Sequence, residues 1–460
     1  MANEQDGRAT TGGNGARATE RGGYAGLSGN QRSWEGTVAI TNARLIDGTG
    51  ADPLEGATLL LLEGERITAV GAGGTIGIPK GATVLDATGM TVLPGLMDCH
   101  VHLAGQWGYD LLRGLVTPPS LRLLYAVPNA RATLEAGITT VRDAGGTPAA
   151  VKMAVERGLF PGPRMRVAVS VLSQTGGHGD GFMPCCVDLH ESRPNDVPSG
   201  VTDGVEAMRH KVREVLRAGA DWIKLCTSGG VLSPGDSPDS AQFTVDEIAV
   251  AVYEAAAQGK RGMAHAQSNR GIKNALLAGI ATIEHGIYLD DEAIQMMLDR
   301  GVYLVPTLVA PQDVIELAEA RPGLLPAYAI EKSRQVMGMH RASFRMAVQA
   351  GVKIAMGTDS GVGPHGGNAR ELALMVEHGG MSPMQAIVAS TRSSAELLHL
   401  DTELGTLAPG KLADLLVVEG DPLADIRVLA DGERLALVVK GGSAVRGRLA
   451  PAQRFSPVSA

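Results

Sequence analysis

Residues 93–103 read Leu93-Pro94-Gly95-Leu96-Met97-Asp98-Cys99-His100-Val101-His102-Leu103. An apolar run that begins behind a Pro-Gly break reads as a buried strand. Successive side chains of a strand point to opposite faces, so His100 and His102 share one face. Met97, Cys99 and Val101 are expected on the other. Two imidazoles side by side over an apolar underside give a metal ion two ligands from one strand.

Further donors follow where later apolar runs end. Lys224 lies in Asp221-Trp222-Ile223-Lys224-Leu225-Cys226, His265 in Gly262-Met263-Ala264-His265-Ala266, and His285 in Ala281-Thr282-Ile283-Glu284-His285-Gly286. Asp359 closes the run that starts at Val352. Each run passes into small or polar residues, as a buried strand does where it leaves a sheet. The ordered set His100-x-His102, Lys224, His265, His285, Asp359 resembles the amidohydrolase superfamily. Within it, the likeness is to the branch of prolidase-like dipeptidases, imidazolonepropionase-like proteins and ochratoxin-type amidases. It spans roughly residues 38–445.

The chain has 460 residues, room for a (β/α)8 barrel of about 250 residues and a smaller second domain. With 44% apolar and 20% charged residues, the composition is that of an ordinary globular protein. A net charge of −8 and 3% aromatic residues argue against a nucleic-acid partner. Cys99, Cys185, Cys186 and Cys226 form no CxxC pattern, so they are expected as reduced thiols in a cytoplasmic protein. No apolar stretch is long enough for a membrane span, and no Walker A or strand-linked GxGxxG pattern supports a nucleotide cofactor.

Residues 1–37 have the composition of a disordered tail. Residues 38–93 and 404–450 share a texture of short strands and Gly-rich turns. The resemblance implies that both join in one small β-sandwich domain. Residues 94–403 alternate strands with helical patterns, expected as an α/β fold of the (β/α)8 TIM-barrel type. Eight strands are expected, at 96–102, 138–142, 165–171, 221–226, 261–266, 280–285, 302–307 and 353–359. Barrel enzymes carry their chemistry at the C-terminal strand ends, where all the candidate ligands fall.

Lys224 alternates with Trp222 and Cys226, which points its amine into the barrel, where burial drives its pKa down. Alone it could pair with a buried carboxylate or reach solvent; the resemblance implies N6-carboxylysine, a carbamate formed with carbon dioxide. It further implies two divalent metal ions, zinc first with manganese or cobalt as alternatives. His100, His102 and Asp359 would hold the buried ion, and His265 and His285 the exposed one. The Lys224 carbamate and a hydroxide would bridge them. The hydroxide would attack a carbonyl, with Asp359 as general base and then acid.

His178, in Gly176-Gly177-His178-Gly179-Asp180, Tyr288 and His365 are expected as substrate contacts. Arg142 and Asp143 are expected as an internal ion pair, and loop 227–243 as a mobile lid or specificity loop. The resemblance implies a small-molecule amide as substrate, in a dipeptide or N-acyl amino acid, and a homo-oligomeric assembly. A cyclic amide or imidazolone hydrolase is the alternative, and a non-catalytic assembly protein on the same fold a third reading.

Overall fold

The computed structural model describes residues 32–105, 115–183, 185–189 and 193–449, with the backbone of 453–454. Most of the expected tail therefore lies outside the described residues. Its last part does not: strand β1 (Arg32–Ser33) pairs antiparallel with β19 (Ser443–Gly447).

Two sheets make up the smaller unit. One runs β1-β19-β18-β17-β7-β3, where β18 is Leu435–Lys440, β17 Leu415–Glu419, β7 Met90–Pro94 and β3 Arg44–Leu45. The other runs β20-β6-β2-β4-β5, where β20 is Gln453–Arg454, β6 Thr83–Asp86, β2 Thr37–Thr41, β4 Thr58–Glu63 and β5 Arg66–Ala72. Val38, Ile40 and Leu60 of the second sheet share one apolar cluster with Val92, Val417 and Val439 of the first. The two ends of the chain meet where β7 pairs antiparallel with β17, Leu416 opposite Leu93. Pro94 ends β7, and β8 (Leu96–Val101) carries the chain into the α/β unit.

The parallel strands follow the expected order. After β8 come β9 (Ile138–Asp143), β10 (Arg164–Val167), β11 (Val171–Leu172), β12 (Trp222–Cys226) and β13 (Arg261–Ala266). β14 (Thr282–His285), β15 (Tyr303–Val305) and β16 (Lys353–Ile354) complete the series. They do not form one continuous ladder. β10-β9-β8 make a three-stranded sheet and β11 to β16 a six-stranded one. The run 164–172 crosses between them at Val169, whose φ of 64° interrupts the strand. The second seam lies between β8 and the chain after β16. There Cys99 N donates to Met356 O, His102 N to Ser360 O, and Val101 bridges Ser360.

Gly357 allows that approach, because a Cβ there would stand 2.9 Å from the His100 Cβ and 2.4 Å from Val305 Cγ1. The helices begin and end on local chemistry. Ser268 caps Asn269–Leu277, which fits the short step between His265 and His285. Residues 383–398 form two helices, Pro383–Ala389 and Arg392–Leu397. The break leaves Ser390 O free to accept from Met97 N, tying the end of the first helix to β8.

β8 departs from regular alternation, with register shifts at Leu96/Met97 and between Asp98 and Val101. Cys99 consequently clusters with Trp222, Met263 and Val305, while Val101 packs in the main strand–helix core. The expected common face for Met97, Cys99 and Val101 is lost to this bulge. Among the described residues no helix is long and apolar enough to cross a membrane.

Candidate metal centre and active site

One cavity of about 530 Å³ is lined by His100, His102, Lys224, His265, His285 and Asp359, with His178 beside them. Strand ends bring the six candidate ligands together, but regular strands alone would not. Thr282 and Glu284 of β14 both reach the Arg142 guanidinium, so strict alternation would turn His285 away from them. His285 has φ 71°, in the left-handed region, which swings its ring back to the cavity. Asp359 (φ 62°) and Thr307 (φ 54°) adopt the same unusual conformation at neighbouring strand ends. Sequence gives no sign of these inversions.

The donors stand close. Asp359 Oδ1 lies 3.1 Å from His102 Nε2 and 3.4 Å from His100 Nε2. Lys224 Nζ lies 3.3 Å from His100 Nε2. The ligand atoms of His100, His102 and Asp359 fall within 4.8 Å of one another. The His285 ring is centred 5.1 Å from His100 and 4.6 Å from His265.

Each imidazole is held from behind. His102 Nδ1 bonds Gly145 O (2.8 Å), His265 Nε2 bonds Gly229 O (3.0 Å), and His285 Nδ1 bonds Thr307 Oγ1 (2.7 Å). His100 Nδ1 donates to Glu284 Oε2 at 2.8 Å. In every case one ring nitrogen is left for a metal, the arrangement that ligating histidines show. Burial pushes His100 down to about 4 and holds His265 and His285 well below the usual histidine range. They therefore stand as neutral donors at pH 7. Burial also depresses the Lys224 amine, favouring the neutral form that reacts with carbon dioxide. Burial alone would raise Asp359, but His100 and His102 keep it well below its ordinary value, as a carboxylate. The donor set thus fits divalent metal ions in its number and orientation.

Several supporting residues went unrecognised in the sequence. Arg142 does not pair with Asp143. Its guanidinium, fully buried, meets Glu284 at 2.8 Å, donates to Cys99 O at 2.6 Å, and lies 4.7 Å over the Trp222 ring. Asp143 instead accepts from Leu103 N and Thr147 Oγ1. Asp98 accepts from the backbone N–H groups of His100 and Thr358, from Thr358 Oγ1 and from Asn368 Nδ2, so it staples β8 to the segment carrying Asp359. A charged residue inside an apolar strand was the available signal for Asp98 and Glu284.

Of the three expected substrate contacts, the structure brings one to the cavity. The His178 ring stacks on His265 at 4.1 Å and 18°. Tyr288 and His365 are not among the lining residues. His365 folds back onto helix Ala126–Glu135, where its Nδ1 meets Thr133 Oγ1 at 3.3 Å.

The Amidohydrolase family profile matches residues 91–445. The chain belongs to the amidohydrolase family. Ochratoxinase from Aspergillus niger is 35% identical over 431 residues, covering 90% of this chain and 88% of that protein. Among solved structures, an Xaa-Pro dipeptidase with methionine bound in its active site matches at TM-score 0.81 and 34% identity, covering 89% of this chain and 99% of that one. A prolidase complexed with N-methylphosphonate-L-proline matches at TM-score 0.80 and 35% identity, over 90% and 100% of the two chains. The prolidase-like branch of amidohydrolases is the one to which the ordered donor set pointed. The family, with its ochratoxinase and prolidase-like relatives, supports hydrolysis of amide bonds.

Proposed function

We propose that this amidohydrolase cleaves the amide bond of dipeptides or N-acyl amino acids at a two-metal centre. His100, His102 and Asp359 would hold one ion, His265 and His285 the second, with Lys224 as the bridging carbamate. The convergence of six donors on one cavity, each histidine fixed from behind, carries the reading. Zinc suits the nitrogen and oxygen donors best. When bound, the ions supply Lewis acidity and a water molecule of lowered pKa.

Asp359 turns Oδ1 toward the two imidazoles, which leaves Oδ2 to take the proton of the attacking water. As the C–N bond breaks, the same oxygen returns that proton to the departing nitrogen, giving a carboxylic acid and an amine. His178, stacked over His265, hydrogen-bonds the carbonyl oxygen as charge develops there. The apolar wall, with Val171, Val197, Leu232 and Val314, excludes water and takes a bulky side chain or acyl group. Arg122 and Arg193 line the same cavity and suit a substrate carboxylate. The interrupted ladder would then be a (β/α)8 barrel and the two-sheet unit its β-sandwich companion.

The test is a panel of dipeptides, N-acyl amino acids and cyclic amides offered to zinc-loaded protein, with amine release as the readout. Release from linear substrates, lost on chelation, is the expected result. Cleavage of cyclic amides alone would move the assignment to the cyclic-amide class. No release from any member, with metal bound, would overturn it.

A further inference from the structure

Loop 227–243, which follows β12, is not a loose lid. Gly229 N donates to Ser240 O, Gln242 N to Thr227 O, and Gly230 N to an Asp236 carboxylate oxygen. The loop is also fastened from outside, by one face of helix Ala327–Ala350. Tyr328, Lys332 and His340 recur at multiples of four residues, so they lie along one stripe. Tyr328 OH donates to Leu232 O at 3.2 Å. Lys332 Nζ donates to three carbonyls, those of Gly230 (3.1 Å), Ser233 (2.8 Å) and Asp236 (2.6 Å). It also lies 3.5 Å from the Asp236 carboxylate. Further along the helix, His340 Nε2 bonds His285 O and Pro306 O, and Ser343 Oγ bonds Ile287 O.

The residues that Lys332 secures are the ones that hold His178. His178 Nδ1 meets Ser233 Oγ at 2.8 Å and Asp236 Oδ2 at 3.7 Å, and Ser233 Oγ in turn bonds Asp236 Oδ1. Gly230 packs flush on the same ring, since a Cβ there would stand 2.2 Å from the His178 Cε1. An ammonium has three donors, and here each has a backbone carbonyl. No other residue type supplies that count from a single point.

We propose that Lys332 is a positioning residue for the active site: it locks loop 227–243, and through Ser233 and Asp236 it fixes the His178 ring over His265. Its bearing on catalysis rests on the substrate role given to His178 above; its bearing on the ring's position does not. Loss of Lys332 leaves three carbonyls unpaired and lets the loop open locally.

The test compares full-length, zinc-loaded wild type with Lys332→Met and Lys332→Arg. Hydrogen exchange over 227–243, the rate at which diethyl pyrocarbonate modifies His178, bound metal, kcat and KM are measured on each. Lys332→Met is expected to exchange faster in that loop and to modify faster at His178, with metal content unchanged. kcat/KM should fall about tenfold to a hundredfold, the loss of one or two charge-assisted hydrogen bonds. Lys332→Arg should recover part of each change. Combined with His178→Ala, Lys332→Met should add little further loss, because both act through one ring. Unchanged exchange and unchanged His178 modification in a folded Lys332→Met protein would overturn the proposal, as would losses that multiply in the double variant. If wild type cleaves no amide while Lys332→Met still loosens the loop and exposes His178, the functional assignment falls and the positioning role stands.

Discussion

Glu284 accepts the Nδ1 proton of His100 at 2.8 Å while its two oxygens also hold the Arg142 guanidinium. Burial alone would raise this carboxyl, yet Arg142 and His100 hold it down at about 2. The charge therefore persists beneath the proposed metal site, fixing the tautomer that turns His100 Nε2 to the cavity. Glu284→Gln should weaken metal affinity about tenfold to a hundredfold, the usual cost of losing such a partner. Competition against a chelator reads that affinity directly, and an unchanged constant would refute the role.

Asp359→Asn removes the proposed proton carrier but keeps an oxygen facing the imidazoles. Turnover should fall at least about a hundredfold, within the range of general acid–base groups, with metal retained. Steady-state kinetics beside elemental analysis would separate this outcome from simple metal loss.

Lys224→Ala deletes the amine that sits 3.3 Å from His100. The variant should bind less metal and lose activity, and a short carboxylic acid should restore part of both by taking the carbamate's place. Metal content titrated against added acetate or propionate checks it. Full metal loading without any acid would exclude the bridging role.

Glu371 offers a pH test of stability. Burial pushes its carboxyl up to about 8, although it accepts the N–H groups of Leu308 and Val309. Its ordinary value is 4.5, so between that pH and about 8 the folded protein holds a proton that the unfolded chain has released. Stability should then decline as pH rises through this window and level off above it. In Glu371→Gln that slope should be absent, a difference on the order of a few kcal/mol across the window. Urea unfolding of both proteins at pH 5 and 9 measures it; parallel curves would contradict the shift.

The meeting of the six candidate ligands in one cavity is legible because each ends an apolar run, and position at a strand end follows from that pattern alone. What surrounds them was not. Arg142 finds its partner across the interior in Glu284 rather than in adjacent Asp143, and no local signal fixes such a long-range pairing. Cys99 changed faces because a bulge in β8 broke an alternation that sequence assumes to be regular. Loop 227–243 reads as mobile from its Gly, Ser and Pro content, but Lys332 reaches it from 90 or more residues away in the chain. Tyr288 and His365 stand near ligands in sequence, and Ile287, Gly361 and Val362 of their loops do line the cavity, but these two side chains do not.

The left-handed backbone at His285, Thr307 and Asp359 carries one more implication. A side chain in that region costs of order 1 kcal/mol, and glycine would relieve it. Two of the three are proposed metal ligands and the third steadies one of them. An ion that grips these side chains would also hold their backbones in the unfavourable conformation, and would bind the unfolded chain far less well. Metal would then act as a folding ligand, and stripping it should lower the melting temperature before any substrate is added.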